Sequence, residues 1–154
     1  VEELRSTAGV DIQIDSSRIL ATVVDVKHSD QVDKWIDSTM AHFDRLDCAA
    51  NMAGVVGPNI GSHGVAELSD EEWSYIININ LNGAFYATRA EIRAMRANPG
   101  NSGGSIVNVA SIAGLQAAAY NSAYSASKHG IIGLSSSAAR EVARQGIRVN
   151  TIAP

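Results

Sequence analysis

SIVNVASIAGLQAAAYNSAYSASKHGIIGLSSSAAREVARQGIRVNTI, residues 105–152, reads as strand, helix, strand. Ser105-Ile-Val-Asn-Val-Ala110 and Ile147-Arg-Val-Asn-Thr-Ile152 are short runs rich in branched apolar residues, and the span from Asn121 to Arg144 between them reads as a helix. Two strands joined by a helical crossover lie parallel. Toward the start of the chain the same alternation continues. Ser69-Asp-Glu-Glu72 is a capping box that opens a long helix reaching about Ala97, and Pro99 to Gly104 breaks it. Leu46 to Asn51 is a strand, and the glycines at 54, 57, 61 and 64 with Pro58 make the span from Ala53 to Leu68 a loop. Val32, Trp35, Ile36, Met40 and Phe43 have helical spacing, with Ser29 or Asp30 as cap. Arg18 to Asp25 is nearly continuous in apolarity, as a strand buried on both faces is. Strand and helix alternate four times, which predicts an α/β fold with a doubly wound parallel sheet.

With 154 residues, 45% of them hydrophobic and 18% charged, the chain is large enough for one domain with a real core and too apolar for a disordered one. A formal net charge of −4 leaves no basic footprint for nucleic acid. The apolar stretches are too short and interrupted to span a bilayer, and no signal peptide opens the chain. Cys48 is the single cysteine, which excludes an intrachain disulfide and points to an intracellular, cytoplasmic protein. Lying mid-strand among apolar residues, Cys48 is expected to be an inert core thiol. His28, His42, His63 and His129 lack metal-ligand spacing, so no metal site is expected. Trp35 and Trp73 fit helix packing.

In parallel sheets ligands bind outside the carboxyl ends of the strands. Asp25 ends the first expected strand and Asn51 the second, Ser111 follows the third and Pro154 the fourth. Tyr124 and Lys128 are four apart on one helix and share a face. A free phenol has a pKa of about 10, and a neighbouring ammonium favours the phenolate, which makes such a tyrosine a usable acid and base. A Ser111 hydroxyl alongside would hold a carbonyl or alcohol for it. The chemistry suggested is proton transfer at a carbonyl carbon, the step that accompanies hydride transfer. On its own, Tyr-x-x-x-Lys is usually a surface pair. Tyr120 has no lysine four residues on and reads as a substrate-pocket contact.

Several motifs in order resemble the short-chain dehydrogenase/reductase family of nicotinamide-dependent oxidoreductases, over essentially all 154 residues. Val24-Asp25-Val26 resembles the family's acidic motif at the adenine. Asn51-Met52-Ala53-Gly54 resembles its Asn-Asn-Ala-Gly turn, with Met52 in place of the second asparagine. Asn80 matches the helix asparagine, and Ser111, Tyr124 and Lys128 match the active-site serine, tyrosine and lysine. Arg148 to Pro154 matches the segment before the Pro-Gly motif. The resemblance implies an NAD(P)-dependent oxidoreductase interconverting a carbonyl and an alcohol, with Asn80, Ser111, Tyr124 and Lys128 as catalytic residues. Asp25, Val26, Asn51, Met52, Ala53, Gly54, Tyr124, Lys128 and Pro154 would bind the cofactor, NAD or NADP. Tyr124 is then the general acid and base, Lys128 holds the nicotinamide ribose, Ser111 binds the substrate oxygen, and Asn80 holds a water in a proton relay.

The family's glycine-rich pyrophosphate turn is absent from the sequence. By that comparison residues 1–154 are a partial Rossmann-type domain carrying strands 3 to 6 of an order 3-2-1-4-5-6-7. Glu2-Glu3-Leu4-Arg5 reads as the tail of a helix, and the expectation is a fragment, unstable or inactive alone, whose first strand lacks a neighbour. A non-catalytic remnant is the alternative function, and an epimerase or dehydratase a weaker one. The implied partners are a small carbonyl or alcohol substrate and further copies of the chain. Oligomers of this family pack the long helices, here those beginning near Ser69 and Asn121, and Ala123, Ala126, Gly130 and Gly133 are small residues that would allow close approach.

Overall fold

A computed structural model describes residues 16–154. The helix tail expected at residues 2–5 lies outside them. The described strands are β1 (Cys48–Asn51), β2 (Gly104–Val109) and β3 (Ile147–Ile152), and the helices are α1 (Ser29–Phe43), α2 (Asp70–Ile77), α3 (Gly83–Arg96) and α4 (Ser122–Val142). The strands form one parallel sheet in the order β1-β2-β3, with Asn51 opposite Asn108 and Asn108 opposite Thr151. Right-handed crossovers that advance in one direction place their helices on one face. Met95 of α3, Ala138 and Val142 of α4, and Ile106, Ile147 and Val149 of the sheet accordingly form one buried cluster. α1 packs outside α3 through Val32 and Ile36 against Ala87, Ala90 and Ala94.

Burial alternates along the strands because, among the described residues, helices cover only one face. Ile106, Asn108, Ile147 and Val149 are buried toward the helices, while Arg148 and Asn150 are exposed on the other face. Cys48 is exposed as well. It stands on the uncovered face of β1, the edge strand of the described sheet, so the expected core thiol is corrected to a surface one. Trp73 is likewise 42% exposed rather than packed away, whereas Trp35 packs on the α1–α3 cluster.

The first expected strand differs too. Ser16–Arg18 is a 3-10 turn, and residues 19–25 join no ladder among the described residues. Val23 is fully exposed, and only Val24 reaches the α1–α3 cluster. A strand holds its shape through ladder bonds, and among the described residues β1 pairs with β2 alone, so these apolar residues have no described neighbour to extend against.

The long helix from Ser69 is interrupted in kind though not in course. Ser69 Oγ accepts the Glu72 N–H at 3.2 Å, as a capping box requires. The return half is absent, because the Glu72 carboxylate is taken by Asn59 N at 3.2 Å and Asn59 Nδ2 at 2.7 Å. Between α2 and α3, Asn78–Asn82 forms a π-helical turn, with Gly83 N bonded back to Asn78 O. Such turns re-aim side chains and gather at functional sites. Asn80 is at its centre.

Candidate active site

The carboxyl ends of the three strands meet the π-turn and the first two turns of α4. Lys128 reaches inward from α4, is 5% exposed, and donates from Nζ to Val109 O at 3.0 Å. No carboxylate pairs with it among the described residues. Burial therefore pushes its pKa down. Its ammonium lies 5.5 Å from the centroid of the Tyr124 ring, so the expected pair on one helix face is formed. The Tyr124 hydroxyl makes no hydrogen bond among the described residues and is free for a ligand. Helix α4 sits close to the segment after β2 because residue 114 is glycine: a Cβ there would stand 2.7 Å from the Lys128 backbone oxygen.

Ser111 lies at the end of β2, but its hydroxyl is not joined to Tyr124. It accepts the Ala113 N–H at 3.2 Å and donates to Pro154 O at 3.4 Å, a distance at which a hydrogen bond is weak. Pro154 O also accepts the Ile112 N–H at 2.7 Å, which ties the end of β3 to the turn after β2. Asn80 is fully buried, and its side chain is committed. Its Oδ1 accepts the Val55 N–H at 2.8 Å, and its Nδ2 donates to Val55 O at 2.9 Å and Ser127 Oγ at 3.1 Å. Ser127 in turn donates to Tyr124 O at 2.7 Å. One asparagine thus clamps the loop after β1 to the Tyr124–Lys128 helix.

Asn51 closes β1 with its side chain turned toward the helices, where Nδ2 donates to Glu91 Oε2 at 2.9 Å and Asn108 Oδ1 at 2.8 Å. Met52, Ala53 and Gly54 follow on the surface, Met52 being 72% exposed. Gly54 fits a cofactor's approach: a Cβ there would lie 3.3 Å from Asn80 Oδ1 and 3.5 Å from Lys128 Nζ, and glycine leaves that cradle open. Asp25 holds its own turn. Its Oδ1 accepts the Lys27 N–H at 3.0 Å, and this bond holds the carboxyl below its usual range, helped by the Lys27 and His28 charges. Val26 packs against the backbone of Gly83, where α3 begins. Tyr120 has a left-handed backbone, φ 59°, and lines a cleft with Tyr124, His63, Glu72 and Asn121, whose Oδ1 is buried without a partner.

Glu91, Asn108, Thr88, Ser127 and Ser135 escaped the sequence reading. The signal was present, because Asn108 interrupts the apolar face of a strand and Glu91 shares a helix face with Ala87, Ala94 and Met95. No helix of the described residues is long and apolar enough to cross a membrane, and no three metal-binding side chains cluster among them.

A family model for short chain dehydrogenases matches residues 2–154. The chain belongs to the short-chain dehydrogenase family. This short-chain dehydrogenase chain is 41% identical over 154 residues to the short-chain dehydrogenase/reductase aba4 of Botryotinia fuckeliana, covering 100% of itself and 57% of that protein. It is similar in structure to levodione reductase, with a TM-score of 0.81 at 35% identity over 88% of this chain and 50% of that one. ElxO with NADP bound gives a TM-score of 0.78 at 33% identity over 85% of this chain and 50% of that one. The chain spans about half the length of the curated relatives it matches.

Proposed function

We propose that the intact protein is an NAD(P)-dependent oxidoreductase that interconverts a carbonyl and an alcohol, with Tyr124 as the proton donor and acceptor. The carrying observation is the buried Lys128 ammonium, 5.5 Å from the Tyr124 ring, with no carboxylate beside it and no partner for the tyrosine hydroxyl among the described residues. A bound nicotinamide supplies or takes up the hydride. Tyr124 gives its hydroxyl proton to the carbonyl oxygen in reduction and removes the alcohol proton in oxidation. Lys128 spends one N–H on Val109 O and keeps two for ribose hydroxyls, and its charge stabilises the phenolate that develops. Ser111 exchanges its long bond to Pro154 O for the substrate oxygen. Because the Asn80 side chain is committed to Val55 and Ser127, a relay water would rest on the main chain of the π-turn.

Asp25 and Val26 are assigned to the adenine, and Asn51, Met52, Ala53 and Gly54 to the ribose side. Pro154 borders the nicotinamide end beside Ser111. The chain of NADP-bound ElxO, similar over 85% of this one, supports a dinucleotide here. The substrate is a small molecule seated near Tyr120 and Asn121. Self-association through the long helices is part of the same proposal, with a narrower surface than the sequence suggested. Ala123 is buried and Gly130 lies against Leu81, so only Ala126 and Gly133 are open.

The test is oxidation of NADH or NADPH by the intact protein, followed at the nicotinamide absorbance with a panel of ketones and aldehydes. Turnover with at least one of them is expected. Absence of both dinucleotide binding and turnover would favour the non-catalytic reading.

A further inference from the structure

Glu91 is 1% exposed on the inner face of α3, and no ion pair reaches it among the described residues. Its side chain has one hydrogen bond, accepted by Oε2 from Asn51 Nδ2 at 2.9 Å. The same nitrogen donates to Asn108 Oδ1 at 2.8 Å, so both hydrogens of the Asn51 amide are committed. Asn108 Nδ2 continues to Thr88 Oγ1 at 3.2 Å and Ser135 Oγ at 2.8 Å. A buried polar network thus runs from α3 through the ends of β1 and β2 to the helix that carries Tyr124 and Lys128.

A carboxyl in this position is costly. Burial pushes its pKa up to about 7, and an apolar side chain of similar volume would fill the space without that cost. What the carboxyl provides is an acceptor for Asn51, the last residue of a four-residue edge strand with one ladder neighbour. Three residues on, Gly54 lies against Lys128 Nζ and Asn80 Oδ1. An error in the Asn51 anchor is passed to the wall of the cradle.

We propose that Glu91 is a positioning residue: its carboxyl holds the Asn51 amide and so fixes the 51–54 turn beside Lys128, where the dinucleotide's ribose is received. The ribose half of this statement rests on the nicotinamide-dependent reading above. The clamp half does not.

Two variants of the intact protein test it, Glu91→Met, which removes the acceptor, and Glu91→Gln, which keeps one. Amide hydrogen exchange across residues 51–55 reads the clamp with no cofactor present. Equilibrium binding of NADH and NADPH, with KM and kcat, reads its consequence. Glu91→Met is expected to speed exchange at 51–55 and to raise the dinucleotide Kd and KM about tenfold, the loss of one hydrogen bond to an ionisable group, with kcat changed less. Glu91→Gln is expected to stay within about twofold of the parent on every readout. A folded Glu91→Met protein with unchanged exchange at 51–55 overturns the proposal. So does a folded Glu91→Gln protein whose turn loosens and whose cofactor affinity drops, and that arm remains decisive if Glu91→Met does not fold. A parent protein that binds neither dinucleotide overturns the ribose half together with the reading it rests on, while the exchange result still decides the clamp.

Discussion

Lys128 carries the account at the scale of single residues. Among the described residues its ammonium has one acceptor and no counter-ion, an arrangement that costs stability unless a ligand completes it. Tyr124 and Lys128 were legible in the sequence because helical spacing alone brings positions i and i+4 together. Ser111 was legible as a position but not as a geometry, since its hydroxyl turns to Pro154 O and Ala113 N rather than to Tyr124. Gly54 tests how open the cradle must be. Gly54→Ala places a methyl 3.3 Å from Asn80 Oδ1 and 3.5 Å from Lys128 Nζ. We expect unchanged secondary structure by circular dichroism and a dinucleotide Kd raised about tenfold in a binding titration, because the crowding falls on the two groups that frame the site. Affinity equal to the parent's would show that no ligand passes there.

Among the elements, the π-turn at Asn78–Asn82 places a buried asparagine where an uninterrupted α-helix would have set a different face. Sequence periodicity predicts one helix from Ser69 to about Ala97 and carries no signal for the extra residue of a π-turn. The Arg18–Asp25 segment shows the opposite failure. Its composition is that of a buried strand, but strand formation depends on a neighbour, which is information a local pattern does not hold. The three strands that did form were readable to within two residues, because each is an apolar run bounded by turn residues. Asn80→Ala isolates the contribution of the π-turn clamp. It leaves the Val55 N–H and C=O without their side-chain partners, and we expect the intact protein to lose about 3 kcal/mol in urea unfolding. Hydrogen exchange should rise first in the loop after β1. A loss below about 0.5 kcal/mol would mean that water replaces the side chain without cost.

Across the whole molecule, the polar network beneath the sheet joins Glu91 of α3 to Asn51, Asn108 and Ser135 of α4, and it is expected to make stability depend on pH. The Glu91 carboxyl has its folded-state pKa raised by burial from 4.5 to about 7. A raised carboxyl pKa means that the folded state prefers the protonated form. Its contribution is fully present below pH 4.5 and is lost as pH rises toward about 7, above which the ionised group weighs fully against folding. The difference corresponds to about 3 kcal/mol. Urea midpoints measured between pH 4.5 and 8 should therefore include a downward component that Glu91→Gln removes; identical pH profiles for parent and variant would contradict it. This dependence was invisible in the sequence, because a glutamate on a helix is ordinarily a surface residue and only the packed layer shows it buried. In the proposed reaction Tyr124, beside Lys128, moves the proton that accompanies hydride transfer. The most direct measurement is turnover and dinucleotide affinity of Tyr124→Phe in the intact protein. We expect kcat to fall by at least about a thousandfold while the dinucleotide Kd stays within about threefold of the parent's. Turnover retained at the parent's level would contradict it.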